Sequence, residues 1–152
     1  MHKVKATEDD CIFCKIITRQ MLGHIVHEDS ACVAFLPLRP INPGHVLVAS
    51  KVHYDPYVDM PDDIAHRITQ TARDIGQRIE SVFTPQRVGF SIVGFDVSHV
   101  HIHVVPLYKK HEITSSVYAN VNSESIEWTD KGIPLCTPEQ QAEIVARLKG
   151  KN

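Results

Sequence analysis

The densest chemical pattern in the chain is His99-Val100-His101-Ile102-His103, three histidines at strict alternation. Alternate side chains of a strand share a face, so the three imidazoles would form a row with neighbours ~6–7 Å apart. Val100, Ile102 and Val104 would point the other way, toward an apolar core. Core packing does not select such a row, because each ring brings two nitrogens that need partners. Two arrangements fit. All three histidines could ligate one metal ion, as alternate strand histidines do in zinc enzymes. Alternatively the labour is divided, with a metal ligand at one end and catalysts beyond it. A neutral imidazole is a nucleophile near pH 7 and leaves phosphorus readily, which splits one hard displacement into two easier ones. Its second nitrogen then needs an acceptor, such as a backbone carbonyl, to fix the tautomer.

Cys11-Ile12-Phe13-Cys14 supplies two thiolates at zinc spacing, and a closed structural site needs two more ligands. Histidines from elsewhere can complete it; if His99 is one, His101 and His103 stay available for chemistry. Cys32 and Cys136 stand apart, and Cys32 reads as a small core hydrophobe. Of the ten histidines, His2, His66 and His111 read as surface residues, and His24 and His27 as flanking an exposed strand side.

The elements that must position these residues follow from pattern. Ile25–Asp29 and Ala31–Leu36 read as strands around an Asp29-Ser30 turn. Pro37 to Gly44 holds three prolines and must be a shaped loop, leading into a third strand, His45–Ser50. Ile64, Ile68, Ala72, Ile75, Ile79 and Val82 form one apolar stripe, so a helix is predicted over Pro61–Phe83, with Pro61 in its first position. Thr84-Pro85 ends it. Val88–Val93 and His99–Pro106 read as two further strands, residues 11–20 as a short helix and Pro138–Lys149 as a closing one. Leu107–Thr137, with Trp128 and Cys136, gives no firm signal. This order predicts an α+β fold, an antiparallel five-stranded sheet with one long helix on a face.

The totals bound the partners. A chain of 152 residues with 43% hydrophobic and 22% charged residues suits one domain, 1–152, with the triad-bearing core at about 11–106 and an extension over 107–152. The net charge is −2 and no basic run exceeds Lys109-Lys110, which argues against a DNA or RNA duplex partner. Small phosphorylated ligands need only local donors. Residues 1–10 lack an apolar signal core, and no run approaches the ~18 apolar residues of a membrane span. A cytoplasmic address, with no membrane partner and reduced cysteines, is expected.

Cys11-Ile12-Phe13-Cys14-Lys15-Ile16, Asn42-Pro43-Gly44-His45-Val46-Leu47-Val48, Lys51-Val52-His53 and His99 to Pro106 together closely resemble the histidine-triad (HIT) family, in order, over residues 11–106. Members are nucleotide-binding hydrolases and transferases, commonly homodimers. The resemblance implies that His101 attacks the α-phosphorus of a nucleotide-type substrate, such as a nucleoside phosphoramidate or dinucleoside polyphosphate, and forms a nucleotidyl-histidine. His103 would bond the phosphate or the departing group, and His45 would order the triad. By the pattern of zinc-bearing members, Cys11, Cys14, His53 and His99 would hold a structural zinc. Substrate contacts are expected at Phe35, Leu38, Ser91, Asp96 and Ser98. Where members carry a ribose-binding Asp, this chain has Pro37, and Gly94 to Ser98 replaces the usual Gln-bearing turn. These two departures favour an alternative, a nucleotide-binding or scaffolding protein with little turnover, whereas the intact triad with His45 favours the leading reading, an enzyme.

Overall fold

The computed structural model describes residues 8–113, 119–121, 126–128 and 132–150. Five antiparallel strands make the main sheet: β1 (Ile25–Glu28), β2 (Cys32–Phe35), β3 (Val46–Ser50), β4 (Arg87–Ser91) and β5 (His101–Leu107), in the spatial order β1-β2-β3-β5-β4. The α+β class and the five-stranded antiparallel sheet are those expected from the sequence. The triad strand differs at its start. It was predicted from His99, but the ladder begins at His101, because His99 N–H turns back to Val97 O at 2.8 Å and Val100 N–H goes to Tyr54 O.

Alternation sorts the sheet into two faces. Val26, Cys32, Ala34, Val46, Val48, Ile102 and Val104 pack against α2 (Asp62–Phe83), chiefly Ile68, Ala72, Ile75 and Ile79. Pro61 caps α2 rather than opening it, and Thr84 closes it in the left-handed region at φ 47°. A third helix, α3 (Pro138–Lys149), adds Ile144 and Leu148 to this layer. Its start is fixed by a capping box between Thr137 and Gln140. Cys32 is fully buried as expected, with its sulfur 3.2 Å from Thr71 Oγ1.

The opposite face is covered too, which the sequence reading did not foresee. The short helix α1 (Ile12–Ile17), tighter than the predicted 11–20, sets Phe13 and Ile16 over Val33, Phe35, Leu47 and Ala49. Leu107–Thr137 carries a small hairpin, β6 (Ala119–Val121) with β7 (Ile126–Trp128). Expectations for residues 1–7, and for the rest of 107–137 where the chain is not described, lie outside the described residues. Among the described residues no helix is long and apolar enough to cross a membrane.

Candidate active site and metal centre

Register places the histidines. His103 stands opposite Leu47 on β3 and Ser91 on β4, and His101 opposite Ala49. Directly paired residues project to the same face, so His101 and His103 share the α1 side. Small Ala49 leaves room there for the Phe13 ring, which meets His101 edge-on with centroids 5.0 Å apart and His99 at 5.8 Å.

His45 opens onto this row from the end of the Pro37–Gly44 loop and is 2% exposed. Its Nε2 lies 3.0 Å from His103 Nδ1, and His103 Nε2 lies 3.1 Å from His101 Nε2. Both ends of this run are main-chain groups with fixed roles. The Ile41 N–H can only donate, to His45 Nδ1 at 3.1 Å. The His99 carbonyl can only accept, from His101 Nδ1 at 2.6 Å. The protons are therefore assigned if the three rings are neutral. His45 Nε2–H donates to His103 Nδ1, His103 Nε2–H donates to His101 Nε2, and His101 Nδ1–H donates to His99 O. Each ring uses one donor and one acceptor. The His101 Nε2 lone pair is thus held by the His103 N–H alone, a contact between two side chains and not a main-chain one.

Electrostatics agree with neutral rings. Burial, and then the two neighbouring rings, hold His45 well below the ordinary imidazole range. Burial and then His101 push His103 down to about 4. Burial also lowers His101, against the opposing effects of its bond to the His99 carbonyl and of the Asp96 charge.

The third triad histidine belongs to a different cluster. His99 is fully buried, and its Nε2 donates to Ser50 O at 2.7 Å, which leaves Nδ1 as a bare donor atom. That nitrogen lies 3.3 Å from Cys11 Sγ and 3.5 Å from Cys14 Sγ, and His53 Nδ1 lies 3.3 Å from Cys14 Sγ. The four ligand atoms of Cys11, Cys14, His53 and His99 all fall within 4.8 Å of one another. A tetrahedron with Zn–S and Zn–N bonds of ~2.3 and ~2.0–2.1 Å has mixed edges of ~3.5 Å, so this donor set fits a closed two-sulfur, two-nitrogen centre. Burial lowers His99 to about 4, keeping it in the unprotonated form a metal requires.

The expected substrate-contact residues are placed unequally. Ser91 stands beside His103, half-buried. Ser98 is half-buried and Asp96 exposed in the turn before β5. Leu38 is 64% exposed, whereas the Phe35 side chain is 2% exposed and engaged with Phe13 at 5.1 Å. Sequence reasoning missed Phe13, the Ile41 amide and the Ser50 carbonyl. The two main-chain groups carry no residue-type signal. Phe13 lies inside the Cys-x-x-Cys pair, where its apolar character was the available clue.

The HIT domain matches residues 18–110. The chain is 36% identical over 106 residues to an uncharacterized HIT-like protein of Methanocaldococcus jannaschii, covering 65% of this chain and 80% of that one. It is 30% identical over 118 residues to adenosine 5'-monophosphoramidase HNT1 of Candida albicans, covering 72% and 76% of the two chains. A zinc-bound histidine triad family protein from Mycobacterium smegmatis shares the fold with a TM-score of 0.69 at 21% identity, over 94% of this chain and 93% of that one. The matched span holds all five strands of the main sheet together with His45, His53, His99, His101 and His103, and the chain belongs to the HIT family.

Proposed function

We propose that this protein is a nucleotidyl hydrolase or transferase, and that His101 is its nucleophile. The observation that carries the reading is the one-way run of hydrogen bonds from Ile41 N–H to His99 O, which leaves the His101 Nε2 lone pair beside the His103 N–H. In the first step this lone pair forms a bond to the α-phosphorus while the bond from phosphorus to the leaving group breaks. The electron pair departs with the leaving group, which takes a proton from water. The positive charge arising on His101 is shared through Nδ1–H with the His99 carbonyl, and the His103 N–H is released to a phosphoryl oxygen. Water then attacks phosphorus and gives a proton to the hydroxide left by the first step, the P–N bond breaks, and the lone pair returns to His101. Ser91, Ser98 and Asp96 are the side chains proposed to contact the phosphate and leaving group, and Leu38 the exposed one on the nucleoside side, where Phe35 is buried against Phe13.

Zinc is the metal we assign to Cys11, Cys14, His53 and His99. Four protein ligands leave no open position for water, so its role would be structural. The division of donor atoms speaks against one ion on all three triad histidines, because His99 Nδ1 points to the thiols while the His101 and His103 Nε2 atoms face each other. The name of the yeast relative supports a phosphoramidate as the first substrate to try. We also infer a homodimer, supported by the apolar residues left outside at the β4 edge and beyond, Phe90, Ile92, Val93 and Phe95.

Trapping with labelled nucleotidyl substrate tests the mechanism. A covalent adduct on His101 at early times, retention at a chiral α-phosphorus, and loss of turnover in His101→Ala with fold and zinc intact are expected. His103→Ala should slow the reaction less. Inversion at phosphorus would sink the covalent pathway.

A further inference from the structure

The segment 132–149 lies outside the span matched by the HIT domain, yet it grips three consecutive residues of the loop before His45. Gln141 Nε2 donates to Pro37 O at 3.1 Å, Cys136 N–H donates to Leu38 O at 3.0 Å, and Arg39 Nη1 donates to Ile133 O at 2.6 Å. The loop needs outside partners, since Pro37, Pro40 and Pro43 have no N–H with which to brace it.

Gln141 is the unusual member of this grip. It is 2% exposed and shares the buried stripe of α3 with Ile144 and Leu148. A leucine there would bury at no polar cost, whereas a buried amide is unfavourable unless bonded. Its bond to Pro37 meets that requirement, and the residue that gains rigidity is the adjoining Leu38. Leu38 is 64% exposed, and an exposed loop leucine ordinarily sits on mobile backbone. Here the main chain is tied at 37 and 38 and again through the Arg39 side chain. Past residue 39 the loop and α3 part. Pro40, Ile41 and Pro43 face Leu135, Ile144 and Arg147 across a cavity of about 410 Å3, so the hold from this side is concentrated at 37–39.

We propose that Gln141 is a positioning residue for nucleotide binding, presenting Leu38 through the Pro37 carbonyl as a preformed apolar wall for the nucleoside. This rests on the nucleotidyl reading above. It gives the Pro37 departure a role: the chain replaces a ribose-binding side chain with a rigid main-chain turn braced from outside the family domain. Preorganising the wall removes an ordering cost at binding, so the effect falls on affinity and KM, while His101 and its partners are untouched.

The test is AMP binding by calorimetry, with steady-state turnover, on the full chain carrying Gln141→Met, Leu38→Ala or both. Gln141→Met keeps the volume and removes the donor; Gln141→Leu serves if it folds poorly. The single variants should each weaken AMP binding about fivefold or more and raise KM alike, and in Gln141→Met kcat should stay within twofold of wild type. The double variant should be no weaker than Leu38→Ala alone, because the brace acts through Leu38. Unchanged AMP affinity in Gln141→Met, or losses that multiply in the double variant, would overturn the inference while leaving the nucleotidyl reading in place. A wild type that binds no AMP and turns over no nucleotidyl substrate would overturn that reading, and this inference with it.

Discussion

Lowering the pH from 7 to 5 should destabilise the fold through His103 in a way that a single substitution removes. Burial, then the neighbouring His101, hold the folded-state pKa of His103 at about 4, against ~6.5 for an unfolded histidine. A base whose folded pKa lies below its unfolded value is protonated more readily when unfolded. Its contribution is thus fully present above pH ~6.5 and is lost as pH falls toward 4. Integrated between pH 7 and 5, that difference amounts to about 2 kcal/mol for this one ring. His45 is shifted in the same direction and adds to the loss in the same window. His103→Gln keeps an acceptor for His45 Nε2–H and a donor toward His101 but cannot titrate. Urea unfolding at fixed ionic strength, every half unit from pH 5 to 8, should show the variant losing about 2 kcal/mol less than wild type over that range. Zinc release in acid enters both curves and cancels in their difference. Parallel curves would refute the argument that the fold holds His103 neutral.

Cys11→Ser should lower zinc content and thermal stability together, by roughly 5 °C or more in Tm, and full zinc occupancy in that variant would remove Cys11 from the site. Asp29 accepts from Ala31 N–H and Cys32 N–H at 2.8 and 2.9 Å and from Arg67 on α2 at 2.8 Å. Burial raises its pKa, but these donors outweigh it and hold the carboxyl well below the usual range. Its contribution is therefore present above pH ~4 and lost below, so Asp29→Asn should cost about 1–2 kcal/mol at pH 7 and flatten the acid limb below pH 4. Phe13→Ala should cost about 3–5 kcal/mol by opening a cavity between Phe35 and His101, measured by denaturant unfolding. Sedimentation should give about twice the 17.1 kDa chain mass, shifting toward one chain in Ile92→Glu at the β4 edge.

Periodicity made the sheet legible because alternation at His101, His103 and Val104 and the stripe Ile68-Ala72-Ile75-Ile79 are properties of single elements. The position of α1 was not legible. Phe13 and Ile16 form too short a run to show which surface they bury, and that is settled only when Ala49 on β3 leaves space beside His101. The start of β5 was misread for a related reason. His99 continues the alternation of the strand, but its N–H is taken by Val97 O and its ring by the thiols, so tertiary partners override the local pattern. The histidine spacing suggested that a carbonyl must hold the nucleophile's tautomer. Which carbonyl, and that an amide at Ile41 fixes the opposite end, depends on how a proline-rich loop folds back, and no side chain reports that. Gln141 was invisible for the same cause: its partner is a main-chain oxygen 104 residues away.

The histidine row also sets how a substrate would arrive. From Val88 to Pro106, and again from Pro40 to Ser50, the chain contains no lysine or arginine. An anionic ligand there is met by N–H dipoles on neutral rings and by main-chain amides, which act at contact and not across a Debye length. Encounter would gain little from long-range attraction, so the association rate should change little between low and physiological salt. Selectivity would then reside in how long a ligand stays once its phosphate and apolar parts are seated together, and polyanions without a nucleoside would pass through the site without accumulating.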